Sequence, residues 1–205
     1  RPLPIIITIL VVIVVIFSLA YYFARVVIYP KTINWQKILK DEIQKGKFKP
    51  EVFDKWYKEE VVIPSPFGYN LFAYYLPVPD SKKNIILTHG ILMSLHSMVK
   101  YLEIFRDHGF NILIYDLRNH GRSGGKDTSY GYYEKYDLLS CVDWVLKRSG
   151  PNSIVGTMGE SMGAAITLQH AAIDPRVNFV ISDCSYSDLY NLFRYHLYKD
   201  YHLRS

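Results

Sequence analysis

The most reactive candidate in this sequence is a serine held between two glycines. Residues 159–163 form the motif Gly-x-Ser-x-Gly with Ser161 at its centre, preceded by a short apolar run, 155–158, and followed by small residues at helical spacing. A strand, a sharp turn and a helix in this order expose a serine hydroxyl above a parallel sheet. Gly159 and Gly163 are expected there because a Cβ at either position would collide across so tight a turn. The pattern predicts a nucleophile for acyl transfer, and a chance motif in a loop is the alternative.

A second apolar run, 84–88, leads directly into His89-Gly90-Ile91. Acyl transfer through a serine needs backbone N–H donors for the oxygen that becomes negative in the tetrahedral intermediate. A strand that ends in His-Gly is where this arrangement places the first donor, which we assign to the N–H of Ile91. The second is the N–H of Met162, at a helix start where the helix dipole assists. His89 and Gly90 are expected to shape the loop.

A third apolar run, 111–115, ends in the residues 116–123, Asp-Leu-Arg-Asn-His-Gly-Arg-Ser. Strand-His-Gly, then strand-Asp-x-Arg-x-His-Gly-x-Ser, then Gly-x-Ser-x-Gly in this order resembles the α/β-hydrolase superfamily. The residues 131–137 and 182–188 resemble its membrane-anchored bacterial branch, the serine-aminopeptidase-like or Bem-type hydrolases. The resemblance covers about residues 61–198. It implies that Asp116, Arg118 and His120 organise their loop, with their charged groups paired to one another, and that a lid begins after 182–188.

The coarse order of elements also indicates an α/β fold. Apolar runs alternate with stretches of helical period, and this alternation implies a mostly parallel sheet covered by helices on both faces. An antiparallel hairpin, 61–63 and 71–76, is expected to precede it. The predicted parallel strands are 84–88, 111–115, 153–158 and 177–182, and the predicted helices are 98–108, 133–148 and 162–173.

The N-terminus has the composition of a membrane span. Residues 5–24 carry no charge and supply the roughly 20 apolar residues that a helix needs to cross a bilayer. Tyr21, Tyr22 and Tyr29 lie where an interfacial aromatic belt is expected. A cleaved signal peptide is the alternative, because Ser-Leu-Ala at 18–20 resembles a cleavage site. We expect a single-pass protein of the cell membrane, with the lipid bilayer as the partner of residues 5–24.

The flanking charges and the resemblance point to opposite sides of that membrane. Arg1 alone precedes the span, whereas Arg25, Lys31 and further lysines follow it. The positive-inside rule therefore places the following domain in the cytoplasm. The resemblance favours an extracytoplasmic domain, and we prefer that side.

Three parts are expected along the chain: an anchor, 1–29, a helical stalk or linker, 30–60, and a hydrolase domain, 61–205. The stalk is rich in Lys, Glu and Asp, which predicts solvated helices. Thr32 is the expected N-cap of the first helix, and Lys49-Pro50-Glu51 the expected start of the second.

Composition excludes several classes of protein. The net charge of +5 is mild, and the 18 tyrosines come without a basic-aromatic module, so a nucleic-acid partner is not expected. The two cysteines, Cys141 and Cys184, fit no metal spacing and are expected to be buried free thiols. We expect neither a metal nor a cofactor.

The usual partners of the serine are missing from their expected places. The superfamily order is serine, then an acid, then a histidine, the last two after later strands. Asp183 is a candidate acid only in a rarer arrangement, and we expect it to cap a turn. His170, His196 and His202 fall within a helix or the start of the lid. We therefore expect the last strands, with the triad acid and histidine, to be absent from this chain.

Two functions remain open from the sequence. The first is a membrane-anchored serine hydrolase that cleaves a small-molecule ester, thioester or amide, or a peptide-like substrate, through an acyl-enzyme. The second is a non-catalytic, membrane-tethered binding module of the same fold. An intact elbow with a matching donor loop favours the enzyme, because a binding module has no need of a strained serine.

Overall fold

The computed structural model describes residues 2–202, so Arg1 and the domain limit at residue 205 lie outside the described residues. The elements are α1 (Leu3–Ile28), α2 (Trp35–Gln44), α3 (Pro50–Phe53), β1 (Glu59–Pro64), β2 (Asn70–Leu76), β3 (Lys83–Thr88), a 3-10 helix (Leu95–Tyr101), α4 (Leu102–Asp107), β4 (Asn111–Tyr115), α5 (Glu134–Ser149), β5 (Ile154–Glu160), α6 (Met162–Ala171), β6 (Phe179–Asp183) and α7 (Leu189–Tyr201).

One six-stranded sheet organises the domain, in the order β1-β2-β4-β3-β5-β6. The four strands β4, β3, β5 and β6 are parallel, whereas β2 pairs antiparallel with both β1 and β4. The mostly parallel sheet and its leading hairpin are therefore confirmed. Because the four strands are parallel, their carboxyl ends at Thr88, Tyr115, Glu160 and Asp183 lie along one edge of the sheet, which we call the carboxyl edge.

Helices cover both faces of this sheet, which is why its central strands are continuous apolar runs. On one face, α5 and α6 contribute side chains such as Val142 and Ile166 to a core with Tyr115. On the other face, the 3-10 helix and α4 contribute side chains such as Met98 and Leu102 to a second core. Every residue of β4 is buried between the two layers.

The helix α1 contains the predicted apolar run. It is 26 residues long, has no buried residue, and is the one described helix that is long and apolar enough to cross a membrane. An N-terminal signal sequence has the same length and composition. Asn34 rather than Thr32 caps the helix that follows, because its side-chain oxygen accepts the Gln36 N–H at 2.8 Å.

The segment expected to be a solvated stalk packs on the domain instead. Its two helices exist, and the second begins at Pro50 as expected. However, Ile38, Phe48 and Phe53 are at most 6% exposed, and the last two belong to the second core. The Trp35 ring also stacks on His96, with centroids 5.5 Å apart. The expectation of solvated helices is wrong because these apolar side chains cover one face of the sheet.

Three further expectations are corrected. The helix expected at 98–108 begins earlier, as the 3-10 helix at Leu95, and becomes α4 only at Leu102. The last strand begins at Phe179, because the Asn178 side chain accepts the Val155 N–H and ends the preceding turn. Cys141 is buried, but Cys184 is exposed because it follows an edge strand in a left-handed conformation, with φ 58°.

The packing of residues 30–60 leads to a stability prediction. Phe53→Ala is expected to lower the free energy of unfolding by about 3 kcal/mol, because it leaves a cavity in the second core. Denaturant unfolding of the purified protein measures this change. Lys55→Ala, at an exposed position two residues away, is the matched control and should change little. Equal, small effects of both substitutions would contradict this packing and would favour solvated helices in residues 30–60.

Candidate active site

Ser161 lies on the carboxyl edge of the sheet, in the turn from β5 to α6. Its side chain is exposed, and its backbone has φ 56° and ψ −117°, a conformation that L-residues rarely adopt. Such a conformation costs about 1–3 kcal/mol and must be held by its surroundings. The Ser161 N–H donates to the Asp183 carbonyl at 2.8 Å, and the Ala164 and Ala165 N–H groups donate to the Ser161 carbonyl. Strand β6 and the first turn of α6 therefore hold the serine in place.

Three glycines make this turn possible. A Cβ at Gly159 would overlap the Gly163 carbonyl, and a Cβ at Gly163 would overlap the carbonyls of Thr88 and His89. A Cβ at Gly90 would lie 3.3 Å from the Ser161 Cβ, a tight contact. The start of α6, the end of β3 and the next loop thus approach one another at backbone distance.

The His89 and His120 rings cross-link the loops after β3 and β4. The Nε2 atom of His89 accepts the Leu117 N–H at 3.0 Å, and that of His120 accepts the Leu92 N–H at 3.1 Å. Each Nδ1 atom then carries the proton and donates to a backbone carbonyl, at 2.7 and 2.8 Å. This pattern requires neutral rings, and burial lowers the pKa of His89 to about 3 and also lowers that of His120. His89 therefore has the contacts of a loop-shaping residue.

The two candidate oxyanion donors belong to two segments that meet at Ser161. Ile91 follows Gly90, which packs against Ser161, and Met162 begins α6 directly after it. Neither N–H is a donor among the backbone hydrogen bonds of the described turns, loops and helix ends. The arrangement can therefore present two uncommitted donors near the serine hydroxyl.

The charged side chains of Asp116 and Arg118 do not pair with one another, which corrects the sequence expectation. The Asp116 carboxylate accepts the N–H groups of Leu95 and Arg122, at 2.8 and 2.9 Å. Burial raises the pKa of Asp116 to about 6. The Arg118 guanidinium forms an ion pair with Asp127. The Asp116 and Arg118 side chains therefore hold different parts of the loop after β4.

The three histidines that follow Ser161 within the described residues form no hydrogen bond with its hydroxyl. The Nε2 atom of buried His170 is 3.3 Å from Asp174, without the alignment of a hydrogen bond. His196 pairs with Asp200 at 2.9 Å on exposed α7, and His202 follows the end of that helix. None of the hydrogen bonds within residues 2–202 joins a histidine to the Ser161 hydroxyl.

Asp183 has partners other than a histidine. Its carboxylate accepts the Tyr101 hydroxyl at 2.7 Å and the Cys184 thiol at 3.1 Å, and these hydrogen bonds lower its pKa. Its backbone carbonyl fixes Ser161, as described above. The described part of the chain thus brings together a serine and two donors but no base.

Sequence reasoning missed the loop that borders α6. The carboxylate of buried Glu134 accepts the Ser129 and Gly131 N–H groups, at 2.7 and 2.8 Å. The Tyr130 carbonyl, at the centre of that loop, accepts the Gln169 side-chain amide at 3.0 Å. The available signal was an acid in the first turn of a helix, where a carboxylate can cap backbone N–H groups.

Comparison with known proteins identifies the family. The family model described as alpha/beta hydrolase fold matches residues 83–202, more than half of the chain, and the chain belongs to this family. The uncharacterized protein YqkD of Bacillus subtilis (strain 168) is 35% identical over 192 residues, which are 93% of this chain and 63% of that protein. The chain thus spans less than two thirds of the length of this relative.

Two solved structures are similar. The esterase Pf2001 of Pyrococcus furiosus has a TM-score of 0.61 and 28% identity, over 68% of this chain and 53% of its own. The protein XC6422 of Xanthomonas campestris, described as a member of the a/b serine hydrolases without a lid, has a TM-score of 0.50 and 25% identity, over 56% of each chain.

The buried Asp116 carboxyl makes the stability of this region dependent on pH. Its pKa near 6 lies above the ordinary value of 3.8, so the folded protein binds the proton more tightly than the unfolded chain. The resulting stability is fully present below about pH 4 and is lost as the pH rises through about 6, by about 3 kcal/mol in total. Asp116→Asn should remove this pH-dependent loss of stability, because an amide does not ionise.

Denaturant unfolding of the wild type and of Asp116→Asn, measured from pH 4 to 7, tests this prediction. The difference in free energy of unfolding between wild type and Asp116→Asn should fall steadily across this range. Asp107→Asn, at an exposed aspartate, is the control for the loss of a carboxyl group as such. A difference that stays constant with pH would contradict the assignment.

Proposed function

We propose that this α/β hydrolase is a serine hydrolase that cleaves an ester, thioester or amide through an acyl-enzyme, with Ser161 as its nucleophile. The observation that carries the proposal is the exposed serine in a strained turn between β5 and α6. Strain of this kind persists only where the surroundings enforce it, and it clusters at reactive sites. Similarity to an esterase and to a member of the a/b serine hydrolases supports the same chemistry.

The proposed reaction begins with attack of the Ser161 hydroxyl oxygen on the substrate carbonyl carbon. The carbonyl oxygen becomes negative and accepts hydrogen bonds from the N–H groups of Ile91 and Met162, which stabilise it more strongly than the neutral ground state. A general base takes the hydroxyl proton and passes it to the leaving group, which departs as the tetrahedral intermediate collapses to an acyl-serine. Water hydrolyses that ester in the second half of the reaction.

We place the general base and its acid outside the described residues. None of the hydrogen bonds within residues 2–202 joins a histidine to the Ser161 hydroxyl, and in this fold the acid and the histidine follow the serine along the chain. The alternative function, a non-catalytic binding module, would need no base. The two functions therefore differ in whether the serine is activated.

We further propose that α1 anchors the enzyme in the cell membrane as a single span and that the domain is extracytoplasmic, as in the serine-aminopeptidase-like or Bem-type branch. The 26-residue length of α1 exceeds what a bilayer requires. Arg25 at its end lies over the Tyr29 ring at 4.9 Å, a pairing of basic and aromatic groups that suits a membrane interface. The anchor, 1–29, would thus precede a linker, 30–60, and the hydrolase domain that begins at residue 61.

An active-site-directed fluorophosphonate tests the proposed nucleophile. The full-length protein should become covalently labelled, and Ser161→Ala should abolish labelling while its far-UV circular dichroism stays unchanged. Ser140→Ala, which removes a hydroxyl from α5, is the matched control and should label normally. Equal labelling of Ser161→Ala and wild type would overturn the assignment, and a wild type that never labels would favour the binding module.

A further inference from the structure

The anchor helix meets the domain at the carboxyl edge, where Ser161 lies. The Thr128 N–H, in the loop after β4, donates to the Ile28 carbonyl at 2.8 Å. In the same loop, the Tyr130 hydroxyl donates to the Val27 carbonyl at 3.2 Å. The last turn of α1 is therefore fastened to a loop of the same edge as the nucleophile.

The linker after α1 continues along this edge. Residues 32–35 border a recess of about 390 Å³ together with residues 119–125 after β4. Trp35 then stacks on His96, which lies in the 3-10 helix after β3. Helix α7, after β6, also returns to the anchor, because the Tyr201 and Phe23 rings meet edge to face at 5.2 Å. Segments that follow three of the four parallel strands thus contact α1 or its linker.

A cavity of about 480 Å³ opens beside these contacts. Its wall includes Ala165 and Leu168 of α6, Tyr130 of the loop after β4, and Tyr186 and Leu189 after β6. Ser129, Gln169, Ser185, Ser187 and Asp188 also line it, so about half of the wall is polar, and the volume falls within the range of small-molecule sites. The cavity can therefore contact an apolar group of moderate size along the part of its wall that the aliphatic and aromatic side chains form.

This cavity lies between the nucleophile and the anchor. Ala165, which is part of the cavity wall, donates its N–H to the Ser161 carbonyl at 3.2 Å. The wall of the cavity is therefore one helical turn from the serine. On the opposite side, Tyr130 holds the end of α1 through its hydroxyl. A chain that occupies the cavity would thus extend from the serine towards the membrane end of the molecule.

We infer that the carboxyl edge faces the bilayer surface and that the cavity takes the acyl chain of an amphiphilic ester or thioester drawn from the membrane. This inference rests on the proposed serine hydrolase function and names its substrate class. The acyl carbonyl would reach Ser161 while the chain lies between α6 and the loop that holds α1. The opposite edge of the sheet then faces away from the bilayer.

Fluorescence quenching tests the orientation without relying on catalysis. The exposed thiol of Cys184, next to the carboxyl end of β6, is a native labelling site, and the other cysteine is buried. The full-length protein carrying a fluorophore on Cys184 is placed in phosphatidylcholine nanodiscs whose lipids bear a nitroxide on the headgroup. The control carries the fluorophore at the opposite edge, as Asn152→Cys in a Cys184→Ala background.

The two label sites are separated by roughly the length of β5, whose seven residues span about 23 Å. The nitroxide lipids should quench the fluorophore at Cys184 severalfold more than the fluorophore at residue 152, because a nitroxide quenches only a fluorophore that it approaches closely. Quenching at neither site, or equally at both, would overturn the orientation. Fluorophosphonate labelling of the same samples tests the nucleophile separately, so the two failures are distinguishable.

Substrate length tests the cavity. Leu168→Trp narrows it, and should lower the ratio of kcat/KM for p-nitrophenyl decanoate to that for the acetate by about tenfold. Ile173→Trp, at an exposed position after α6 and outside the cavity wall, should leave this ratio unchanged. An unchanged ratio in Leu168→Trp, or a wild type that prefers acetate throughout the series, would overturn the acyl assignment.

Discussion

The close approach of α6 to the end of β3 is the constraint on which the rest of the site depends. At Gly163 only a hydrogen atom fits beneath the carbonyls of Thr88 and His89. That approach forces a turn too tight for ordinary backbone angles and leaves Ser161 at its apex with φ 56°. It also brings the loop of Ile91 beside the start of the helix. The same packing therefore positions the serine and both candidate donors.

Buried neutral groups then hold the surrounding loops. A neutral imidazole offers one acceptor and one donor, and His89 and His120 each use both to join backbone segments. Burial keeps these rings uncharged because a charged ring would lose its hydration without a compensating partner. The loop after β4, fixed in this way, also supports the end of α1 through Thr128. The order of this loop and the position of α1 are thus physically connected.

Local signals in the sequence were sufficient for the elbow and for most of the sheet. The collisions expected at Gly159 and Gly163 are present, and the parallel strands lie close to their expected positions. The errors concern contacts between distant segments. Burial of Phe53 and pairing of Arg118 with Asp127 depend on which surfaces meet in space, and no nearby residue signals either. The loop around Tyr130 was missed for a different reason, because its local signal, the acid Glu134 in the first turn of α5, was not used.

The most direct measurement of the central claim is a crystal structure of the full-length protein after reaction with a phosphonate ester. The account predicts a bond between phosphorus and the Ser161 Oγ, with the phosphoryl oxygen about 2.7–3.1 Å from the N–H groups of Ile91 and Met162. A phosphonyl group on another residue would contradict it. So would an adduct on Ser161 whose phosphoryl oxygen points into solvent and away from both amides.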